Sequence, residues 1–247
     1  MAKLFEGARQ NKKFVAKFIL FALIFWLLQF SFQYYFAVPN EPESSLFKGA
    51  GNLLQTSLVR SLAFSGATFF AIALLLSSFF RWKPNYAKYW HVRRSFGVMG
   101  FVFIFFHFQS VLNFYFLGNL FALLPSINPF LNPIVFGLLA FPIFFLMFLT
   151  STDWAFDKLG AKKWKTLHRL VYFGFMFGVF HFLLINPPIL MSFPGYLLIL
   201  ITFSALAGEL YWFIQTVLKK KSSTLATIIG ILIILLYLLL GYFAFIA

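Results

Sequence analysis

Seven stretches of about 20 mostly apolar residues constrain the fold of this chain more than any other feature. A helix rises about 1.5 Å per residue, so about 20 apolar residues cross the ~30 Å hydrocarbon core of a bilayer. Apolar residues make up 62% of the 247-residue chain, more than a soluble domain needs. The sequence therefore predicts an all-α, polytopic transmembrane helical bundle with spans near 14–37, 58–80, 95–117, 131–150, 166–186, 194–218 and 224–246.

Basic residues occur in alternate connecting segments, and this pattern predicts the orientation. They cluster in the N-terminal segment, in 81–94, in 153–169 and in 219–221, whereas 118–130 and 186–195 carry no charge. Basic loops face the cytoplasm in most helical membrane proteins. We therefore expect an integral protein of the cell (inner) membrane, with its N-terminus in the cytoplasm and its C-terminus outside. On this interpretation the net charge of +14 reports topology and lipid contact, not nucleic-acid binding.

Two of the four histidines lie at the same predicted depth. His107 follows Arg94 by 13 residues and His181 follows Arg169 by 12, and both spans run from inside to outside. At the helical rise, each imidazole lies roughly 18–20 Å from the cytoplasmic arginines, in the outer half of the membrane. Two facing imidazoles suit the axial positions of a haem iron. The alternative is that both rings only hydrogen-bond to neighbouring helices and hold the bundle together.

The other two histidines share a level at the inner interface. His168 immediately precedes Arg169, and His91 precedes Arg93 by two residues. They are either a second ligand pair or wet interfacial residues, and the sequence leaves both interpretations open. Thirteen residues turn an ideal helix by about 220° beyond whole turns, so His168 and His181 do not share a face of a straight helix.

Five further charged residues are candidates for a site. Arg60 begins the second span on the outer side, and it either pairs with a propionate of an outer haem or extends to lipid headgroups. Arg93, Arg94 and Arg169 lie beside the inner histidines, and they either hold inner propionates or only set the topology. Glu209 is the acid inside a span. Pairing with Arg169 or a neutral, proton-linked state would relieve the cost of burying it.

Two segments around the histidines resemble the ferric-reductase-like transmembrane domain family. They are "RRSFGVMGFVFIFFH" at 93–107 and "TSTDWAFDKLGAKKWKTLHRLVYFGFMFGVFH" at 150–181. The motifs are an Arg pair ahead of a His, "TST" ahead of "KLG", and "LHRLVY" with a second His thirteen residues after the first. Within that family, the chain is most similar to the haem-binding membrane subunit of bacterial periplasmic methionine sulfoxide reductase systems.

The resemblance implies a six-helix core that binds b-type haem, one or two per chain. It implies His107, His168 and His181 as the ligand set, with His107 and His181 as the outer pair. His91 departs from the family pattern, because it lies sixteen residues before His107, further than in relatives with two complete haems. FMN or a quinone is a further candidate cofactor.

The same resemblance suggests how the chain is divided. We expect residues 1–218 to form the haem-binding transmembrane domain and residues 219–247 to add a seventh, C-terminal transmembrane helix. Larger relatives append a flavin and nicotinamide module after the sixth helix, and this sequence shows none there. The chain is thus expected to be an electron-transfer subunit without its own catalytic soluble domain.

The predicted function is a cytochrome b-type electron conduit across the membrane. Electrons enter from a separate cytoplasmic flavin reductase or from quinol, and they leave to an acceptor on the outer side. That acceptor is a periplasmic reductase, ferric iron or oxygen. The alternative function is a cofactor-free transporter or scaffold whose histidines only pack helices, which broken spans in paired halves would favour.

Overall fold

The computed structural model describes residues 2–39, 52–124, 126–185 and 192–219, together with isolated positions between 224 and 235. Throughout these ranges the regular structure is helical and no strand occurs, which confirms the expected all-α bundle. The seventh span, expected at 224–246, lies outside the described residues apart from those isolated positions. The helices are α1 (Ala2–Phe32), α2 (Leu53–Trp82), α3 (Trp90–Phe116), α4 (Ile134–Leu149), α5 (Asp153–His168), α6 (Val171–Ile185) and α7 (Phe193–Leu218).

Six of the seven helices, all but α5, match the first six apolar stretches of the sequence. Five segments are long and apolar enough to cross a membrane: Lys12–Ala37, Leu53–Trp82, Pro84–Phe116, Thr166–Ile185 and Phe193–Leu218. A sixth candidate is α4 taken with the first part of α5, from which it is bent by 106°. The protein is therefore an integral membrane protein.

Helix α2 occupies the centre of the bundle. It contacts α1, α3 and α7, while α4 packs on α6. Small residues let the central helices approach closely, as in many membrane bundles. A Cβ atom added to Gly66 of α2 would lie 2.7 Å from the side chain of Ile104 in α3, and one added to Gly174 of α6 would lie 2.9 Å from Ile143 in α4.

The basic segment 153–169, expected as a connection between spans, is mostly helix α5. The Thr152 side chain caps this helix by accepting a hydrogen bond from the N–H of Ala155 at 3.2 Å. Gly160 interrupts the helix with a φ of 71°, and Trp154 and Lys158 are exposed. A polar helix with exposed lysine and tryptophan, bent away from a span, is typical of one that lies along the membrane interface.

We call the end of the bundle that carries segments 81–94 and 153–169 the basic end. There Glu209 of α7 accepts hydrogen bonds from the hydroxyl of Tyr172 at 2.7 Å and from that of Ser78 at 2.9 Å, and it forms an ion pair with Arg81. The structure thus gives Glu209 the partner Arg81 in place of the expected Arg169. These contacts join α2, α6 and α7, and they satisfy a carboxylate that would be costly if left alone within a span.

Candidate functional site

The rings of His107 and His181 lie opposite each other between α3 and α6. Their centroids are 6.4 Å apart and their planes are inclined by 62°. A metal ion held about 2 Å from one nitrogen of each of two imidazoles needs ring centres roughly 6 Å apart. The two histidines that the sequence placed at one depth are therefore close enough in space to share a metal.

Each of these rings is held by a backbone carbonyl. The Nδ1 atom of His107 lies 2.9 Å from the oxygen of Val59, and that of His181 lies 3.0 Å from the oxygen of Pro133. A carbonyl only accepts, so Nδ1 carries the hydrogen in both rings, and the lone pair of each neutral imidazole is on Nε2. Metal-binding histidines are commonly oriented by a second hydrogen bond of this kind. Both Nε2 atoms are thus available as ligands.

The two imidazoles line one cavity of about 440 Å³. This volume lies within the ~300–1,000 Å³ typical of small-molecule and cofactor sites. The wall is almost entirely apolar and comes from α2, α3, α4, α6 and α7, with the buried side chains of Phe64, Phe70, Phe144 and Phe180 among its members. The space beside the paired rings is therefore open to a large apolar ligand.

A glycine gives His181 the room to adopt this position. A Cβ atom added to Gly137 of α4 would lie 3.1 Å from His181 Nδ1 and 3.2 Å from its Cε1 atom. Such distances are tighter than those of ordinary side-chain contacts. Gly137 thus lets the imidazole lie against the backbone of α4, within reach of the Pro133 carbonyl.

Arg60 brings a positive charge to the same cavity. It follows Val59 in α2, lines the cavity with both histidines, and has its Nη1 atom buried. A guanidinium group at the wall of an apolar cavity is well suited to a carboxylate on a ligand, with which it forms charge-assisted hydrogen bonds.

The other three arginines lie at the basic end. Arg94 donates from Nε to the Ser151 carbonyl at 2.5 Å and from Nη1 to the Asp153 carboxylate at 2.6 Å, so it ties α3 to the turn between α4 and α5. Arg93 interacts electrostatically with Glu209 and Tyr172. Arg169 is exposed. Arg60 alone of the four predicted arginines lines the cavity of His107 and His181.

His91 and His168 have separate environments. His91 contacts the ring of Phe14 edge-on at 4.9 Å, whereas His168 stacks on Trp164 with ring centroids 3.8 Å apart. Both residues are described, and the structure contains no ring contact between them like that of His107 with His181. The two inner histidines, which the sequence left open as a ligand pair or as interfacial residues, thus contact different neighbours.

His168 already uses one of its ring nitrogens. Its Nε2 atom lies 3.1 Å from the Thr150 hydroxyl, and that hydroxyl donates to the Leu146 carbonyl at 2.7 Å. The hydroxyl therefore accepts from His168, and Nε2 carries the hydrogen. A nitrogen with a bound hydrogen has no lone pair for a metal, so this ring would have to change its hydrogen bonding to become an Nε2 ligand.

The remaining donors form no separate metal site. Among the residues that the structure describes, no three His, Asp or Glu side chains are grouped as metal ligands. Two imidazoles are nevertheless sufficient for a haem, because the porphyrin supplies the other four nitrogens. The donor set, the apolar cavity and the nearby guanidinium together fit that cofactor.

The site also depends on residues that sequence reasoning missed. Val59 and Pro133 act through backbone carbonyls. Every residue has such a carbonyl, so the sequence does not indicate which ones accept from the histidines. Gly137 lies inside an apolar stretch and offers only a weak signal, because glycine is common in transmembrane helices. Arg81 is one of several bases in segment 81–94, and nothing in the sequence distinguishes it as the partner of Glu209.

Most of the segment that forms this site is similar to a known protein family. Residues 62–179 match the family model described as ferric reductase like transmembrane component. Over this segment the chain is similar to the ferric-reductase-like family. It includes His107 and His168 and ends two residues before His181. The resemblance expected from the sequence motifs is thereby confirmed.

Curated relatives match a shorter part of the chain. The chain is 32% identical over 94 residues to the protein-methionine-sulfoxide reductase heme-binding subunit MsrQ of Brucella ovis, and equally to that of Brucella abortus. The same subunit of Brucella anthropi is 31% identical. Each alignment covers 37% of this chain and 41% of the relative's length. No solved structure matches this chain.

Proposed function

We propose that this protein is a b-type cytochrome subunit that transfers electrons across the membrane, and that His107 and His181 are the residues that would hold its haem. The observation that carries the proposal is the pair of imidazoles 6.4 Å apart at the wall of a large apolar cavity. The family match supports it, as does the description of the MsrQ relatives as heme-binding subunits.

Each residue of the site has a distinct role in this proposal. His107 and His181 hold the iron through Nε2, because their Nδ1 atoms are bound to the carbonyls of Val59 and Pro133. The surrounding phenylalanines exclude water, and the dielectric of such a shell influences the reduction potential. Arg60 pairs with a propionate. The iron, when bound, supplies the one-electron chemistry.

We further propose that this chain binds one haem and not two. His168 donates its Nε2 hydrogen to Thr150 and stacks on Trp164, and His91 packs against Phe14. A second bis-imidazole site would require both rings to leave these contacts and to face each other. On this proposal the inner histidines contribute to packing at the basic end.

The charge pattern supports an orientation of the chain in the membrane, and the proposed direction of transfer is based on that orientation. We propose that the basic end faces the cytoplasm and that the chain resides in the inner membrane, because basic loops are retained on that side. Electrons then enter at this end from a separate flavin reductase or from quinol. They would leave on the opposite side to a periplasmic reductase, ferric iron or oxygen. A partner subunit is supported by the relatives, which are named as subunits of a reductase.

An optical spectrum of the purified protein tests the proposal. We expect a Soret band and, after reduction with dithionite, a sharp α-band. The alternative of a cofactor-free transporter or scaffold predicts neither band, even when haem is supplied during expression. In that alternative, the hydrogen bonds of His107 and His181 would serve only to hold the helices together.

A further inference from the structure

We propose that Asn132 is a positioning residue for His181, and that it acts through the carbonyl of Pro133. This inference rests on the proposed function, because it concerns the orientation of a haem ligand. It adds a residue that neither the family match nor the sequence motifs single out.

Asn132 is locked into the loop that precedes α4. It is only 6% exposed, and its side-chain Nδ2 donates to the carbonyls of Leu123 at 2.8 Å and Ser126 at 3.1 Å. Its backbone N–H donates to Asn128 at 2.9 Å, and its carbonyl accepts from Val135 at 3.0 Å. Both hydrogens of the carboxamide are therefore used, in a place where water cannot readily replace a lost partner.

The next residue carries the carbonyl that holds His181. The Pro133 oxygen accepts from the Phe136 N–H at 3.1 Å and from His181 Nδ1 at 3.0 Å. Pro133 is the N-cap of α4, and no side chain caps the helix there. The position of this carbonyl is thus set by the loop before it, which the Asn132 side chain fastens.

Asn132 also connects the ligand to the cavity wall. Leu123, whose carbonyl accepts from Asn132, is 1% exposed and lines the cavity together with His181. One carboxamide therefore fixes both a wall residue and the carbonyl that orients an imidazole. Displacing it should loosen the ring without removing the ligand itself.

His107 provides the internal contrast. Its acceptor, the Val59 carbonyl, lies within α2, where the helix itself fixes the backbone. The orientation of His107 does not depend on a comparable side chain. The effect of Asn132 should therefore fall on one of the two axial ligands.

The test is Asn132→Leu, which keeps the branched shape of the side chain but removes both donors. We expect the variant to bind haem about 10- to 100-fold more weakly, as is typical when a hydrogen-bonded support of a metal ligand is lost. We also expect its ferric EPR spectrum to show altered low-spin g-values and a high-spin fraction. Asn128→Ala is the matched control, because Asn128 is exposed in the same loop and its side chain accepts only from the Phe130 N–H at 3.0 Å. This control should resemble the wild type in both measurements.

A readout without haem separates this inference from the proposed function. Nitrogen NMR of the apoprotein labelled in histidine reports the Nδ1–H hydrogen bond of His181. That signal should shift in Asn132→Leu and return toward the wild-type position in Asn132→Gln, which keeps the donor. If Asn132→Leu fails to fold, the milder Asn132→Ser takes its place. A folded variant with the wild-type NMR signal, haem affinity and EPR spectrum would overturn the role of Asn132, whereas a wild-type protein that binds no haem would overturn the proposed function.

Discussion

This protein has two levels with two histidines each, and the surroundings of the two levels differ. His107 and His181 are each bound through Nδ1 to a carbonyl and face each other beside an open apolar cavity. His91 and His168 lie among the rings of Phe14 and Trp164 and do not meet. Equal depth in the membrane therefore does not by itself make a ligand pair. The level of His107 and His181 differs from the other in two respects. Its histidines are in the tautomer that leaves a lone pair on Nε2, and both line a cavity.

The largest expected difference between the levels is in haem content. His107→Ala and His181→Ala should each abolish haem binding, because one axial ligand and one hydrogen-bonded anchor are lost together. His91→Ala and His168→Ala should keep close to one haem per chain. Pyridine haemochrome assays on the four purified variants give the comparison. Loss of half the haem in either inner variant would show that the inner level binds a haem of its own.

A substitution that adds only one methyl group should affect the same ring. Gly137→Ala places a Cβ atom about 3.1 Å from His181 Nδ1, so the imidazole must shift by a few tenths of an ångström, which disturbs its hydrogen bond to the Pro133 carbonyl. We expect haem affinity to fall about tenfold, in line with the loss of a hydrogen-bonded support. The control is Gly97→Ala, because a Cβ atom added at Gly97 has no neighbour within 4 Å. Haem titration that shows equal affinities for the two variants would contradict the role of Gly137.

At the basic end, a mutation should affect stability and leave the haem spectrum unchanged. Glu209→Leu removes the acceptor of Tyr172 and Ser78 and the ion-pair partner of Arg81. We expect the free energy of unfolding to fall by about 1.5–3 kcal/mol, the usual value of a hydrogen bond to a charged group. Unfolding in detergent measures this loss. A changed Soret or α-band in Glu209→Leu would indicate that the basic end contacts the cofactor after all.

The smallest expected effect concerns the charge beside the haem. Arg60→Met should retain haem but lower its reduction potential, because a nearby positive charge favours the reduced iron. The shift should be on the order of tens of millivolts, or about 1 kcal/mol. Arg169→Met is the control, since Arg169 is exposed and is not part of the cavity wall. Identical potentials in a redox titration of both variants would place Arg60 away from the propionates.

The sequence predicted the spans, and it predicted that His107 and His181 lie at one depth, for a physical reason. Crossing a bilayer requires a fixed length of apolar helix, so the positions of the spans can be predicted from the sequence. The depth of a residue in a span follows from the number of residues that separate it from the basic segment. The equal depth expected for His107 and His181 followed from that count, and their ring centroids lie 6.4 Å apart. The rotation of about 220° expected for a single straight helix does not apply to His168 and His181, because the helix is interrupted at residues 169–170, between α5 and α6.

Other features depend on contacts that the sequence does not encode locally. The carbonyls of Val59 and Pro133 belong to backbone and could not be distinguished from any others. The partner of Glu209 was expected to be Arg169, but α2 and α7 are neighbours in the bundle, and this brings Arg81 to the carboxylate. The sequence predicted neither the helical form of α5 nor its 106° bend from α4, because segment 153–169 was interpreted only as a basic connection between spans.

The most direct test of the central claim is the low-temperature EPR spectrum of the purified ferric protein, with the spins counted per chain. We predict a low-spin signal that is typical of two imidazole ligands and that corresponds to one haem per chain. A high-spin ferric signal, two low-spin haems per chain or a protein without haem would each contradict it.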